Sequence, residues 1–215
     1  MYTPSHFEET RPAVLQRMMD QYPLATVVAQ TANGLQANHI PVMFESSGVS
    51  QGTLKGHIAR ANSLWRDVNS GEEVLAIFQG ASHYISPNWY PSKMAHGQVV
   101  PTWNYTVVHA RGRITWIQDV AWLREFLQSL TERHERDAAN PWRMSEAPGK
   151  YIDGMLAAIV GFEIAIETLT GKWKLSQNRS QEDRAGVVAS LSALADPASQ
   201  QMAKLVERPD RGSAD

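Results

Sequence analysis

The sequence has no cysteine among its 215 residues. Thiolate catalysis, disulfide bonds and cysteine-based zinc sites are therefore excluded, and a reducing cytoplasm is the compartment that fits best. The N-terminus lacks the basic start and apolar run of a signal peptide, and no stretch is long and apolar enough to cross a bilayer. We expect a cytoplasmic protein with no membrane contact.

An excess of positive charge is also missing. The 20 Lys and Arg residues and the 22 Asp and Glu residues give a formal net charge of −2. Proteins that bind nucleic acids usually present a basic surface, and the sequence contains no helix-turn-helix pattern and no basic helix. DNA binding is thus unsupported by charge or motif. It would need a local patch, made for example by dimerisation, or a second protein.

Several common ligand motifs are absent as well. There is no Gly-x-x-x-x-Gly-Lys-Ser/Thr phosphate loop and no Gly-x-Gly-x-x-Gly turn. The histidines form no His-x-His or His-x-x-x-His pair, so we expect no metal site. Tryptophan, in contrast, is present at 7 positions, and its flat indole suits a stacked planar ligand as well as a core.

The hydrophobic pattern predicts an antiparallel β protein. Strands are expected at 24–31, 35–44, 53–58, 73–79 and 160–169, with two short strands or one bent strand in 104–118. Asn33-Gly34 is typical of a type I′ hairpin turn. Helices are expected at 8–21, 63–68 and 151–159, and after caps at Asp119, Ser180 and Asp196. Because strands and helices do not alternate, we predict an α+β fold, mainly antiparallel β, with helices around a β-barrel.

Polar clusters near the predicted strand ends are the main functional signal. They lie at 39–41, 57–62, 84–93, 100–105 and 172–178, and mix amides or hydroxyls with a cation or a tryptophan. The third of them lies in a polar stretch, 82–101, which is expected to be a long loop and therefore functional. Such clusters suit a ligand with an anionic end, a polar chain and a flat ring.

Each cluster also has an ordinary structural explanation. Arg60 can form a surface ion pair, and Asn62 can cap a short helix. Trp89 and Trp103 can fill the core, and the lysines near residue 172 can be solvated. Composition and spacing alone therefore support only a barrel with a polar pocket.

Long strings in a fixed order make the case more specific. They are MYTPSHF (1–7), PLAT (23–26), GHIARAN (56–62), YISPNWYPSK (84–93), VPTWNY (100–105), IVGFEI (159–164) and GKWKLSQN (171–178). With these strings the chain resembles the PaiB-type family of FMN-binding negative transcriptional regulators, up to about residue 191. Asn88 stands where a serine is expected and Ser63 where a proline is expected, and neither change removes a cation or a tryptophan.

The resemblance implies an FMN-binding split barrel with peripheral helices, related to pyridoxamine-phosphate-oxidase-like flavoproteins. Such proteins are generally homodimers with FMN at the subunit interface. The FMN-binding domain would cover residues 1–191, and a helical tail would cover 192–215.

On that basis we assign roles toward flavin mononucleotide. The phosphate is expected to contact Arg60 and Lys93, and the phosphate or ribityl hydroxyls to contact Asn62, Ser86 and Thr102. Trp89 and Trp103 are expected to pack against the isoalloxazine ring of FMN. The remaining candidates are Asn104 and a group that would reach the ligand of the same or the partner subunit, namely Lys174, Ser176, Gln177 and Asn178.

Three functions stay open at this point. The family implies repression of genes, such as those for proteases and sporulation in some bacteria. The alternative is an FMN-dependent oxidoreductase that acts on an unknown small molecule with NAD(P)H or oxygen, although no acid and base pair stands out. A haem-handling variant would use His39, His57, His83 or His109 as axial ligands. The third function is a dimer in which the flavin is structural or sensory.

Substitution of Arg60 by alanine is expected to weaken FMN binding. A charge-assisted hydrogen bond contributes about 1.5–3 kcal/mol. Titration of the apo-protein with FMN measures the change, and an unchanged affinity would remove Arg60 from the phosphate site.

Overall fold

The computed structural model describes residues 1–46 and 51–208. The strands found there are β1 (Glu8–Glu9), β2 (Leu24–Thr31), β3 (Gly34–Glu45), β4 (Thr53–Ala59), β5 (Glu73–Ile85), β6 (Thr102–Ile117) and β7 (Ile159–Lys174). The α-helices are α1 (Pro12–Gln21), α2 (Leu64–Asp67), α3 (Ser92–His96), α4 (Val120–Glu135), α5 (Gly149–Ala157), α6 (Gln181–Ser192) and α7 (Pro197–Glu207). Short 3₁₀ helices cover Ser5–Phe7, Pro87–Trp89 and Met144–Glu146.

The strands form one hydrogen-bonded sheet in the order β1-β7-β4-β3-β2-β5-β6. A further pairing between β6 and β7 closes the last six strands of that order into a ring. The pairs β2–β3, β2–β5, β3–β4 and β4–β7 are antiparallel, and Thr26 lies opposite His39 on one side and Ile77 on the other. A closed ring of hydrogen-bonded strands is the topology of a β-barrel. The predicted mainly antiparallel fold is therefore confirmed.

The chain divides into two compact units. The first unit comprises residues 1–22, 78–109 and the chain from 170 onward, and the second comprises 23–77 and 110–169. In the second unit, β2 buries alternate residues such as Val27 and Ala29, as the two-residue period of a strand requires. Helices α4 and α5 of the same unit pack through Leu123, Ile152 and Leu156.

The first unit has its own apolar core. Helices α6 and α7 pack on each other, and the Arg184 guanidinium donates to the Val206 carbonyl at 3.0 Å. Complete burial of a large apolar side chain stabilises a fold by about 1.5–3 kcal/mol. The buried side chains of this unit include Leu15, Met18, Phe78, Ile85, Trp173, Leu175, Val187, Leu191, Met202 and Val206.

Several predicted boundaries are wrong because strands extend further than the local pattern indicates. The helix predicted from residue 8 begins at Pro12, since both residues of β1 pair with β7. Strand β5 continues to Ile85, inside the predicted loop, and β7 continues to Lys174, through the turn expected at Gly171. Residues 102–117 form the single strand β6. Residues 209–215 of the predicted tail lie outside the described residues.

The hairpin between β2 and β3 lies where it was predicted, but its turn type is wrong. Thr31 pairs with Gly34, so Ala32 and Asn33 form the two-residue loop. A type I′ turn needs a positive φ at both loop residues. Among the described non-glycine residues only Ser176 has a positive φ, and the left-handed conformation of the hairpin falls on Gly34, with φ 101°. Glycine adopts this conformation without the steric cost of a Cβ.

The predicted helix caps at Asp119, Ser180 and Asp196 are confirmed. Asp119 Oδ1 accepts a hydrogen bond from the Trp122 N–H at 2.7 Å, at the start of α4. Ser180 and Asp196 cap α6 and α7 in the same way. None of the helices in the described residues is long and apolar enough to cross a membrane.

Substitution Asp119→Ala is expected to lower the free energy of unfolding by about 1 kcal/mol, because the N-cap acceptor is lost. Urea unfolding of the purified protein measures the change. Asp119→Asn retains a cap acceptor and serves as the control. An equal loss in both variants would contradict a capping role.

Candidate functional site

The predicted cofactor residues are divided between the two units. Arg60 and Asn62 lie in the second unit. The others lie in the first unit, namely Ser86, Trp89, Lys93, Thr102, Trp103, Asn104, Lys174, Ser176, Gln177 and Asn178. Within the first unit, side-chain contacts bring the start of β6 together with the end of β7.

Lys172, Lys174 and Arg179 of the first unit form what we call the cation cluster. Lys174 Nζ donates to the Thr102 hydroxyl and, at 2.8 Å, to the Trp103 carbonyl. Burial lowers the pKa of Lys174, and the positive charges of Lys172 and Arg179 lower it further. Three cations therefore lie close enough to repel one another.

Two members of the cation cluster lie against aromatic rings. Buried Lys172 donates to the Tyr2 carbonyl at 3.0 Å, and its Nζ lies 5.4 Å from the centre of the Tyr105 ring. The guanidinium carbon of Arg179 lies 4.7 Å from the centre of the Tyr90 ring. Within residues 1–46 and 51–208, no carboxylate forms an ion pair with any of the three. Positive charge without a counter-charge suits an anion such as phosphate.

Asn104 and Ser176 form a buried polar pair beside the cation cluster. Asn104 Nδ2 donates to Ser176 Oγ at 3.0 Å, and both side chains are buried. Ser176 has φ 63°. A left-handed conformation at a non-glycine residue is strained, and such strain is concentrated at functional sites. The pair thus fixes an unusual backbone turn directly after Lys174.

The Gln177 side chain stabilises the same turn by hydrogen bonds to backbone groups. Its Oε1 accepts from the Leu175 N–H at 2.6 Å, and its Nε2 donates to the Trp173 carbonyl at 2.6 Å. The following residue, Asn178, is exposed. Gln177 therefore has a backbone partner at each end of its amide, while Asn178 faces solvent.

Residues 86–93, which we call the aromatic loop, carry three of the predicted residues. Ser86 Oγ accepts from the Asn88 N–H at 3.2 Å and so caps a 3₁₀ helix. Lys93 donates to the Asn88 side-chain oxygen. Trp89 is half-buried, with its ring centre 6.0 Å from that of His83.

A second aromatic pair is open to solvent. Trp103 is 55% exposed and meets Tyr84 edge to face, with 6.2 Å between ring centres. A large exposed aromatic face is unusual and offers a stacking surface for a planar ligand. Trp103 is thus not the core residue that its type alone suggests.

Arg60 of the second unit is held by neutral oxygens. Its guanidinium donates to the carbonyls of Ala157 and Ile159, at 2.9 Å each, and to Gln118 Oε1 at 2.8 Å. An arginine has five N–H donors, so two remain for a ligand. These partners also mean that Arg60 supports its own unit, whichever ligand it contacts.

Arg60 has a second cation nearby. The guanidinium carbons of Arg60 and Arg66 lie 5.7 and 5.1 Å from the centre of the Trp65 ring. Asn62 Nδ2 donates to Asn38 Oδ1 at 2.8 Å, and its own Oδ1 accepts from the Leu64 N–H at 3.0 Å. Asn62 therefore holds the start of α2, as its helix-cap explanation predicts.

Two of the histidines named as possible axial ligands are partly or largely buried. Burial lowers the pKa of both His57 and His109, which favours their neutral forms. His57 packs edge to face on Phe126, with 5.9 Å between ring centres. In the described parts of the chain, no group of His, Asp and Glu is arranged to hold a metal ion.

Sequence reasoning missed several neighbours of the site. Lys172 and Arg179 belong to the cation cluster, Arg66 lies beside Arg60, and Asp183 binds the aromatic loop. Arg179 directly follows the GKWKLSQN string, and this adjacency was the available signal. Asp183 gave none, because its cap position explains it completely at the level of sequence.

The fold defines a class of protein. The chain is similar to the FAD and heme binding protein of Mycobacterium smegmatis, with a TM-score of 0.57 and 20% identity over 83% of this chain and 78% of that one. It is also similar to a flavocytochrome of Azotobacter vinelandii, with a TM-score of 0.56 and 16% identity over 83% and 75%. At these identities the likeness concerns the fold alone, and it agrees with the predicted split barrel.

Sequence relatives give the family. Residues 1–168 match the model of the "Putative FMN-binding domain". The chain is 33% identical over 207 residues to "Protease synthase and sporulation protein PAI 2" of Bacillus subtilis, with 96% of this chain and 97% of that protein covered. It is 30% identical over 241 residues to an uncharacterised protein of Emericella nidulans, with 96% of each covered. The chain belongs to the PaiB-type family of FMN-binding split barrels, and FMN is its cofactor.

The first unit fits the chemistry of FMN. The cation cluster offers positive charge without a carboxylate partner in the described chain. The Thr102 hydroxyl and the Asn104–Ser176 pair offer groups suited to a ribityl chain, and exposed Trp103 offers an aromatic face. Charge, polar chain partners and aromatic wall thus occur in one unit.

Proposed function

We propose that this FMN-binding protein is a flavin-dependent negative regulator of gene expression, and that the first unit carries the main cofactor contacts. The observation that supports the cofactor site is the cation cluster, which lacks a counter-charge in the described residues. The observation that supports regulation is the similarity to the Bacillus subtilis protein along nearly the full length of both chains.

Most of the proposed contacts lie in the first unit. Lys174 and Lys93 bind the phosphate, assisted by the charges of Lys172 and Arg179. The ribityl hydroxyls and the ring meet polar and aromatic groups, namely Ser86, Thr102, Asn104, Ser176, Trp89 and Trp103. Gln177 holds the turn, and Asn178 reaches the ligand from the surface.

Arg60 and Asn62 remain in the proposal as phosphate and ribityl contacts. Arg60 keeps two N–H donors and has no carboxylate partner among the residues described. Residues 1–191 form the proposed FMN-binding domain, and 192–215 form its helical tail.

Assembly and location complete the proposal. The surface of the first unit includes large exposed side chains, among them Met94 at 90%, Val100 at 65% and Trp103 at 55% exposure. Exposed apolar side chains favour association, and we propose a homodimer in the cytoplasm. Absence of cysteine supports that location.

Regulation by this protein does not require a broad basic surface for DNA. The formal net charge of −2 does not favour a direct nucleic-acid surface. We therefore propose that the flavin state acts on the protein's contacts with DNA through a local patch, or through another protein. FMN supplies the redox chemistry when bound.

The visible spectrum of the protein titrated with FMN, then with NADH and NADPH, tests the function. We expect saturable, near-stoichiometric uptake of flavin and no bleaching by either nicotinamide. A parallel gel-shift assay with genomic fragments, repeated at several salt concentrations, tests DNA binding. Rapid bleaching without any gel shift would favour an FMN-dependent oxidoreductase. Absence of flavin uptake would overturn the cofactor site.

The pH dependence of FMN affinity tests Lys174. The protonated amine attracts phosphate, and its lowered pKa means that the charge is lost at a lower pH than for an ordinary lysine. Affinity is therefore expected to fall as the pH rises through that lowered pKa. Lys174→Met should bind FMN more weakly at neutral pH and lack this decrease. Lys150→Met, at an exposed position of α5, is the matched control. Identical profiles for all three proteins would contradict the role.

A further inference from the structure

The start of helix α6 makes a set of contacts with the aromatic loop, residues 86–93. Asp183 lies in the first turn of α6 and is buried, with 4% exposure. Its Oδ1 accepts from the Ser92 backbone N–H at 3.0 Å, and its Oδ2 accepts from the Ser92 hydroxyl at 2.7 Å. A buried carboxylate is costly unless it is hydrogen-bonded, so these two bonds are strongly favoured.

Two further contacts link the aromatic loop to α6 and to Arg179, just before that helix. The Arg179 guanidinium lies over the Tyr90 ring at 4.7 Å. Gly186 of α6 approaches the Trp89 backbone so closely that a Cβ there would lie 2.2 Å from the Trp89 carbonyl oxygen. Only glycine permits that approach without displacement of the loop backbone. The contacts involve different kinds of interaction and independent residues.

The positions of these contacts along the loop are informative. Tyr90 and Ser92 lie between Trp89 and Lys93, two of the three loop residues proposed to meet the flavin. Lys93 is exposed, and its described side-chain partner, Asn88, belongs to the loop itself. The loop residues proposed to reach the ligand therefore lie next to, or at, positions where α6 contacts the loop.

We propose that Asp183 is a positioning residue for the cofactor, and that α6 fixes the aromatic loop in the conformation that binds FMN. This inference rests on the proposed role of the loop. It adds helix α6, which lies outside residues 1–168 that match the FMN-binding family model, to the elements that support the cofactor site. Release of the Asp183–Ser92 contact frees the loop and weakens flavin binding without removing any group that touches the flavin.

Flavin titrations of four apo-proteins test the proposal. Asp183→Ala leaves the Ser92 N–H without its acceptor, and we expect FMN affinity to fall at least about tenfold. Asp183→Asn can still accept from the Ser92 N–H and should stay within about threefold of the wild type. Glu182→Ala removes the adjacent, exposed carboxylate of the same helical turn and should bind as the wild type does.

A stability control separates positioning from folding. Leu191→Ala opens a cavity at the far end of α6 and should lower the apo melting temperature while leaving the FMN affinity of the folded protein unchanged. The visible circular dichroism of bound flavin, at saturating FMN, should change in Asp183→Ala and return in Asp183→Asn.

The outcomes distinguish a positioning role of Asp183 from a stability effect and from failure of the proposed FMN site. Wild-type affinity and an unchanged flavin spectrum in Asp183→Ala would overturn the positioning role while leaving the FMN site intact. Equal loss of affinity in Asp183→Ala and Leu191→Ala would assign the effect to stability and also overturn it. Failure of the wild type itself to bind FMN would overturn the proposed function, and this inference with it.

Discussion

Pairing of β6 with β7 is the constraint on which the rest of the structure depends. These two strands close the sheet, and each contributes residues to both units. In the second unit they are joined by the ion pair of Arg113 with Glu167 at 2.8 Å. In the first unit the same strands provide the contact of Lys174 with Thr102. The register that closes the barrel therefore also sets which side chains meet at the cofactor site.

The clustered positive charges of the first unit destabilise the protein when no anion is bound. Three cations are gathered without a carboxylate partner in the described chain, and burial, followed by the charges of Lys172 and Arg179, lowers the pKa of Lys174. The repulsion among these cations costs free energy in the apo-protein, and the binding of an anion offsets that cost. The neutral hydrogen-bond partners of Arg60 follow the same pattern in the second unit, since they orient the guanidinium without cancelling its charge.

The predictions from sequence succeeded where the signal is local. Strand β2 alternates buried and partly exposed residues, and Asp119 caps α4, because both features depend on neighbours within a few residues. The extensions of β5 and β7 were missed because distant pairing partners stabilise them. The turn type was missed because Asn33-Gly34 was assigned to the loop centre, whereas the pairing of Thr31 with Gly34 shifts the loop by one residue.

In the candidate site, too, features with a local signal were predicted and contacts between distant segments were missed. The string GKWKLSQN predicted Lys174 and Ser176 as site residues, and the structure brings both next to β6. The contact of Asp183 with Ser92 depends on which distant segments meet, so no spacing within the sequence indicates it. The long sequence strings shared with the family predicted FMN as the cofactor, and the structure showed which residues lie beside the predicted site.

The backbone of Ser176 limits which residues can replace it. Two demands coincide there, a left-handed φ of 63° and a hydroxyl for buried Asn104. Glycine meets the first demand and loses the second, whereas threonine keeps the hydroxyl but is sterically disfavoured at positive φ. Asparagine tolerates the conformation but brings a larger amide into a buried space. Substitution at this one position is thus confined by geometry and chemistry together, and serine is the smallest side chain that satisfies the chemistry.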